Sequence, residues 1–131
     1  MIGTFGISTA VSAPNNLQLQ EHPLQIILDN SLLSLTQVSG KSELLSEIES
    51  VAKKYSISAN KSIQVAKAES SLNQNAIGSA GERGLYQFMP KTWNWFNSLR
   101  NTNLNIYNVS HQIDMYCWAI SSGYSSHWTT Y

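Results

Sequence analysis

The chain has 131 residues, 12% of them charged, and a formal net charge of zero. That length suffices for one domain with its own core, and the charge balance excludes nucleic-acid binding by bulk electrostatics. A largely neutral polar complement rich in Asn and Ser, beside 10% aromatic residues, suits a neutral or carbohydrate ligand better than a polyanion. Cys117 is the single cysteine, so no intrachain disulfide can form. Between Tyr116 and Trp118 in a helical stretch it reads as a buried thiol. No stretch approaches the ~18 apolar residues of a membrane span.

Residues 1–40 carry little charge and several turn formers, among them Gly3, Gly6, Pro14, Pro23 and Gly40. They read as an N-terminal extension, either an arm or a poorly ordered segment, in which Leu24 to Val38 can form a short helix of loose periodicity. The run Ala10-Val11-Ser12-Ala13 resembles the end of a signal peptide. It lacks a basic n-region and a strong h-region, so a leader, a leader remnant and a plain arm all stand open. Residues 41–131 then form the main domain.

In that domain Ser42 is placed to cap a helix whose apolar stripe is Leu44, Leu45, Ile48, Val51, Ala52 and Tyr55. Glu43, Glu47 and Glu49 precede Lys53 and Lys54, as the helix dipole favours. A second helix is expected to start near Asn60, its cap, and to end near Leu72 before the breakers Asn73, Asn75 and Gly78. Ile63, Ala66, Ala68 and Val65 supply its apolar surface. Glu69 lies four residues after Val65 and three after Ala66, on the packing side close to the helix end. Partial burial there raises a carboxyl pKa by desolvation.

Residues 73–84 are polar, with Gly78, Gly81 and Gly84 in one short run. Their spacing matches no phosphate-binding loop, and no Gly-Lys-Ser/Thr follows. A turn returning across the end of the Glu69 helix needs the same freedom. Pro90 suits the first turn of a helix through Lys91 and Phe96. An Asn-rich linker over 101–108 leads to a last helix from His111 to Ser121, capped by Ser110 and terminated by Gly123. No alternating strand pattern occurs, so the fold is mainly α with at most a very small β element.

The block from Glu69 to Thr92 resembles the signature of soluble lytic transglycosylases and goose-type lysozymes. The matching positions are Glu69, Ser70, Asn73, Gly81, Gly84, Leu85, Gln87, Pro90 and Thr92. A looser likeness extends over residues 44–128. The resemblance implies a lysozyme-like domain that cleaves the β-1,4 bond between N-acetylmuramic acid and N-acetylglucosamine in peptidoglycan. It makes Glu69 the general acid, whose neutral form needs a low-polarity setting.

Two routes follow from that resemblance. In the transglycosylase route the substrate acetamido group assists, and Glu69 then acts as base on the 6-hydroxyl to give a 1,6-anhydro product. In a hydrolase a second acid positions water, and Glu82, thirteen residues after Glu69, is the candidate. Glu82 paired with Arg83 as a structural ion pair is the plainer reading. A third reading keeps the groove as a catalytically silent glycan-binding or inhibitory module.

Gln87 and Tyr86, with Ser70, are expected to contact the sugar, and Tyr107 or Tyr124 to line the groove. Trp93, Trp95, Phe96 and Trp118 read as core, Trp128 as lid or packing. His111 and His127 read as structural or surface residues, and Asp114 as solvent-exposed. No cofactor or metal is expected, since no His-Glu-x-x-His or clustered ligand set occurs. The implied partner is the peptidoglycan glycan strand, acted on by a monomer. The implied location is secreted, periplasmic or cell-wall associated.

Overall fold

One helix runs far longer than the sequence suggests, with Pro14, Pro23 and Gly40 all inside it. In the computed structural model residues 5–129 are described, with side chains from Asp29 onward. The segment Met1–Thr4 of the leader-like run lies outside the described residues. So do the side chains of Ile27 and Leu28. The chain divides into two compact units, Met1–Lys41 and Ser42–Tyr131.

Helix α1 spans Phe5–Lys54. The short helix expected over 24–38 and the cap expected at Ser42 are both corrected by this: the backbone stays helical through Gly40 and Ser42. One interior glycine costs only about 1 kcal/mol relative to alanine, a small sum against a helix of this length. Glu43, Glu47 and Glu49 are therefore mid-helix rather than at a helix start. Lys53 and Lys54 do occupy the last turn. Within the first unit Leu32, Leu33, Leu35 and Val38 are exposed.

The second unit is built on the rest of α1 with α2 (Ala59–Ser70), α3 (Pro90–Arg100), α4 (Val109–Ser121) and a 3-10 turn, Ser125–His127. The stripe on α1 falls where its period places it. Ile48 and Ala52 are buried, and Leu44, Val51 and Tyr55 pack beside them. Ser58, not Asn60, caps α2, its hydroxyl accepting from the Lys61 N–H at 3.2 Å. Val65 and Ala66 are buried while Ala68 is exposed. Pro90 takes the first position of α3 as expected.

Asn108 rather than Ser110 caps α4, accepting from the His111 N–H at 3.0 Å. The helix starts two residues early because Val109 packs on the core. Gly123, at φ +93°, follows its end.

Aromatic rings fill the centre. Tyr86 stacks on Tyr116 with centroids 3.8 Å apart and planes 2° from parallel. Phe88 meets Trp93 and Trp128 edge-on at 4.9 and 5.3 Å. Trp93 and Phe96 are buried as expected, Trp118 is half-buried, and Trp95 is 45% exposed.

Asp114 is not the free surface acid expected. It pairs with Arg100 at 2.8 Å and accepts from the Tyr55 hydroxyl at 2.7 Å, tying α4 to α3 and to the residue that follows α1. The pairing is tertiary: Tyr55 lies 59 residues earlier. Desolvation, then the Asp114 hydrogen bond, raise the Tyr55 pKa. Burial, then Asp114, push the Cys117 thiol up to about 12, which leaves it protonated and inert at neutral pH.

Among the described residues the β content is two isolated antiparallel bridges, Ile77 with Arg83 and Arg83 with Phe88. Among the described residues no helix is long and apolar enough to cross a membrane.

Candidate active site

Helix α2 stops because two successive residues turn left-handed, Ser71 at φ 54° and Leu72 at φ 65°. The Ser71 and Leu72 N–H groups close back on the Lys67 and Ala66 carbonyls at 2.9 and 3.2 Å. Glu69 thus sits in the last turn, where the helix dipole already disfavours an anion.

Ser70, its neighbour, does not line the cleft. Its hydroxyl lies 2.8 Å from the Leu85 carbonyl and accepts from the Asn73 N–H at 3.1 Å. The expected sugar contact is corrected here to a protein one: Ser70 fastens the end of α2 to the returning loop.

Residues 73–88 make that loop. Asn73 opens it with a side-chain turn, its Oδ1 accepting from the Asn75 N–H at 2.9 Å. Antiparallel pairing then holds Gly78 N–H to the Glu82 carbonyl at 2.9 Å and Arg83 N–H to the Phe88 carbonyl at 2.8 Å. In extended backbone successive side chains point to opposite faces, so Glu82 and Arg83 diverge. Among the described residues they form no ion pair with each other.

Glu82 turns toward Glu69. Its carboxylate accepts from the Ala80 N–H at 3.0 Å. Both acids, with Gly78, Gln87, Met89 and His127, line one open cleft of about 480 Å³. Desolvation first, and the charge of Glu82 second, raise the Glu69 pKa above the usual carboxylate value.

Gln87 also reaches the cleft, from a left-handed backbone at φ 51°. Its Nε2 donates to the Gly84 carbonyl at 2.8 Å, which leaves Oε1 toward Gly78. A non-glycine residue in this conformation costs about 1–3 kcal/mol, a strain typical of functional loops. A Cβ on Gly78 would collide with the Glu82 carboxylate and come within 2.7 Å of the Gln87 Oε1. Gly78→Ala is expected to displace both polar groups and cut activity about tenfold. The melting temperature should move by only a degree or two, because the colliding atoms are side-chain ends. Parallel kinetics and thermal melts check this.

Tyr86 is corrected outright. Its ring is fully buried against Tyr116, and its carbonyl accepts from Trp128 Nε1 at 2.8 Å. Trp128 is thereby packing, not a lid. Tyr124 is half-buried among Trp95, Phe96 and Trp118 rather than in the cleft. Tyr107 is 72% exposed and lines a different cleft on the same loop. His111 is structural, its Nδ1 accepting from the Asn105 N–H at 2.9 Å. Among the described residues no cluster of three or more acids, histidines or cysteines could hold a metal.

Met89 and Gln112 carry no sequence signal that was read as functional, and His127, expected as a structural or surface residue, is placed in the cleft instead. His127 and Met89 line the Glu69 cleft. Gln112, only 1% exposed, holds the return loop: its Oε1 accepts from the Leu85 N–H at 2.8 Å, and its Nε2 donates to the Ile106 carbonyl at 2.7 Å. The signal was present, since Gln112 is four residues before Tyr116 on the buried face of α4.

These features define a mainly helical, lysozyme-like domain with a raised-pKa glutamate at a helix end, facing a polar cleft. The family model for the transglycosylase SLT domain matches residues 46–127, and the chain belongs to that family. Its members are lytic transglycosylases that act on peptidoglycan. No curated protein and no solved structure matches the chain.

Proposed function

We propose that this protein is a peptidoglycan lytic transglycosylase in which Glu69 serves first as acid and then as base. The observation carrying the reading is Glu69 itself: half-buried, raised in pKa and opening on the polar cleft. Protonated Glu69 donates to the glycosidic oxygen between N-acetylmuramic acid and N-acetylglucosamine. The substrate acetamido group stabilises the cationic centre. The resulting carboxylate then takes the proton of the 6-hydroxyl, which closes the 1,6-anhydro ring. Gln87 offers its Oε1 to the sugar, and Ser70 acts through position, by keeping Glu69 against the loop. The substrate places the work in the periplasm or cell wall, and a monomer suffices for a polymer substrate.

Glu82 supports a second reading, since it shares the cleft with Glu69 and interacts with it electrostatically. There it would position a water molecule for hydrolysis. Glu82→Gln separates the two. On the transglycosylase reading turnover persists, and the loss of the Glu82 charge lowers the Glu69 pKa, so the alkaline limb of the pH–rate profile moves to lower pH. A loss of turnover of about 10²-fold or more, with glycan binding kept, would instead establish hydrolysis assisted by Glu82.

A further inference from the structure

The loop that carries Glu82 presents a second cleft on its other side, of about 100 Å³, walled by Ala76, Ile77, Arg83, Ile106, Tyr107 and Gln112. Arg83 is the cation in it. The residue is half-buried, and its Nε is buried without a hydrogen-bond partner. Among the described residues its guanidinium makes no ion pair, whereas Arg100 is fully engaged by Asp114, Tyr55 and Met115. A partly desolvated guanidinium without an acceptor is costly, and its planar fork suits a carboxylate. The bridges from Arg83 to Ile77 and Phe88 fix its backbone, so the side chain cannot swing to the Glu82 side. Tyr107 and Ile77, 72% and 71% exposed, give the cleft an apolar rim.

We infer that this second cleft binds a carboxylate of the peptide stems carried by a peptidoglycan strand, with Arg83 as the recognising group and Tyr107 as its flanking face. The inference rests on the reading of the Glu69 cleft as a glycan groove. It adds a peptide-reading site on the far side of the same loop.

The test measures binding and cleavage of labelled glycan strands in two forms: native stems with free carboxylates, and the same stems with those carboxylates converted to carboxamides. The wild-type chain is expected to bind the native form about tenfold more tightly, as a charge-assisted hydrogen bond provides. Arg83→Gln should bring the two forms to parity, and Tyr107→Ala, at an exposed position, should narrow the gap. Circular dichroism melts of each variant confirm folding. Equal binding of both forms by the wild type, equal weakening of both in Arg83→Gln, or no binding of either would overturn the inference. Preferential binding without cleavage would leave this site standing and remove the lytic reading. Cleavage without preference would do the reverse.

Discussion

Glu69→Gln is expected to lower turnover on purified cell walls by about 10²–10⁴-fold, the contribution of a positioned general acid, while the variant still binds glycan. The same substitution is expected to stabilise the fold at neutral pH. The folded-state pKa of Glu69 lies above its ordinary value of 4.5, through desolvation and then Glu82. The folded state therefore binds the proton more tightly than the unfolded chain, and stability falls as pH rises from the unfolded to the folded pKa. Below the unfolded pKa the wild type bears no penalty. Above the folded pKa it bears all of it. The melting temperature of Glu69→Gln should thus exceed that of the wild type at pH 7, with the gap closing below about pH 4. The proposed mechanism needs the protonated acid, so the wild-type rate should decline on its alkaline side as Glu69 ionises. Unchanged turnover in the variant would remove Glu69 from the mechanism. A melting temperature lowered at pH 7 would show that its charge is not strained.

Gly84→Ala is expected to have the largest effect on stability. Gly84 lies at φ +80°, and a Cβ there would come within 2.5 Å of the Gln112 amide. The left-handed backbone costs a side chain about 1–2 kcal/mol. Gln112 is buried and cannot retreat without abandoning the Leu85 N–H and the Ile106 carbonyl. Each buried group left unpaired costs about 1–3 kcal/mol. A loss of roughly 3 kcal/mol corresponds to a fall of about 15 °C in Tm for a domain of this size. The return loop would also release the end of α2 at the Ser70–Leu85 contact, so activity should fall as well. Thermal unfolding followed by circular dichroism decides it. A shift under about 3 °C would show that the Gln112 clasp does not hold the loop.

The parts of this molecule that were legible in its sequence are those decided locally. Pro90 opens α3 through its own fixed φ, Gly123 follows the end of α4, and the stripe from Leu44 to Tyr55 follows the helical period. The position of Glu69 in the last turn of α2, on a cleft, was legible because motif spacing and helix phase agree on it. What escaped was set by contacts distant in sequence or by backbone turns without a residue signature. Tyr86 and Gln87 are neighbours, yet one is core and the other faces the cleft. That exchange depends on a left-handed turn at Gln87 that glutamine does not advertise. Ser70 reads as a sugar contact until the Leu85 carbonyl, 15 residues on, is seen to engage it. Asp114 looks solvent-exposed until Tyr55, just past the end of α1, and Arg100, at the end of α3, reach it. The extent of α1 was not legible for a different reason: Gly6, Pro14, Pro23 and Gly40 signal turns locally, yet all four lie within the helix.

The most direct measurement is the chemistry of the products released when the wild-type protein is incubated with purified peptidoglycan. Muropeptide analysis by mass spectrometry separates the two outcomes, because the 1,6-anhydro end is one water lighter than the reducing end. The account predicts 1,6-anhydromuramoyl ends from the wild type and none from Glu69→Gln. Reducing N-acetylmuramic acid ends in place of the anhydro form, or no cleavage at all, would contradict it.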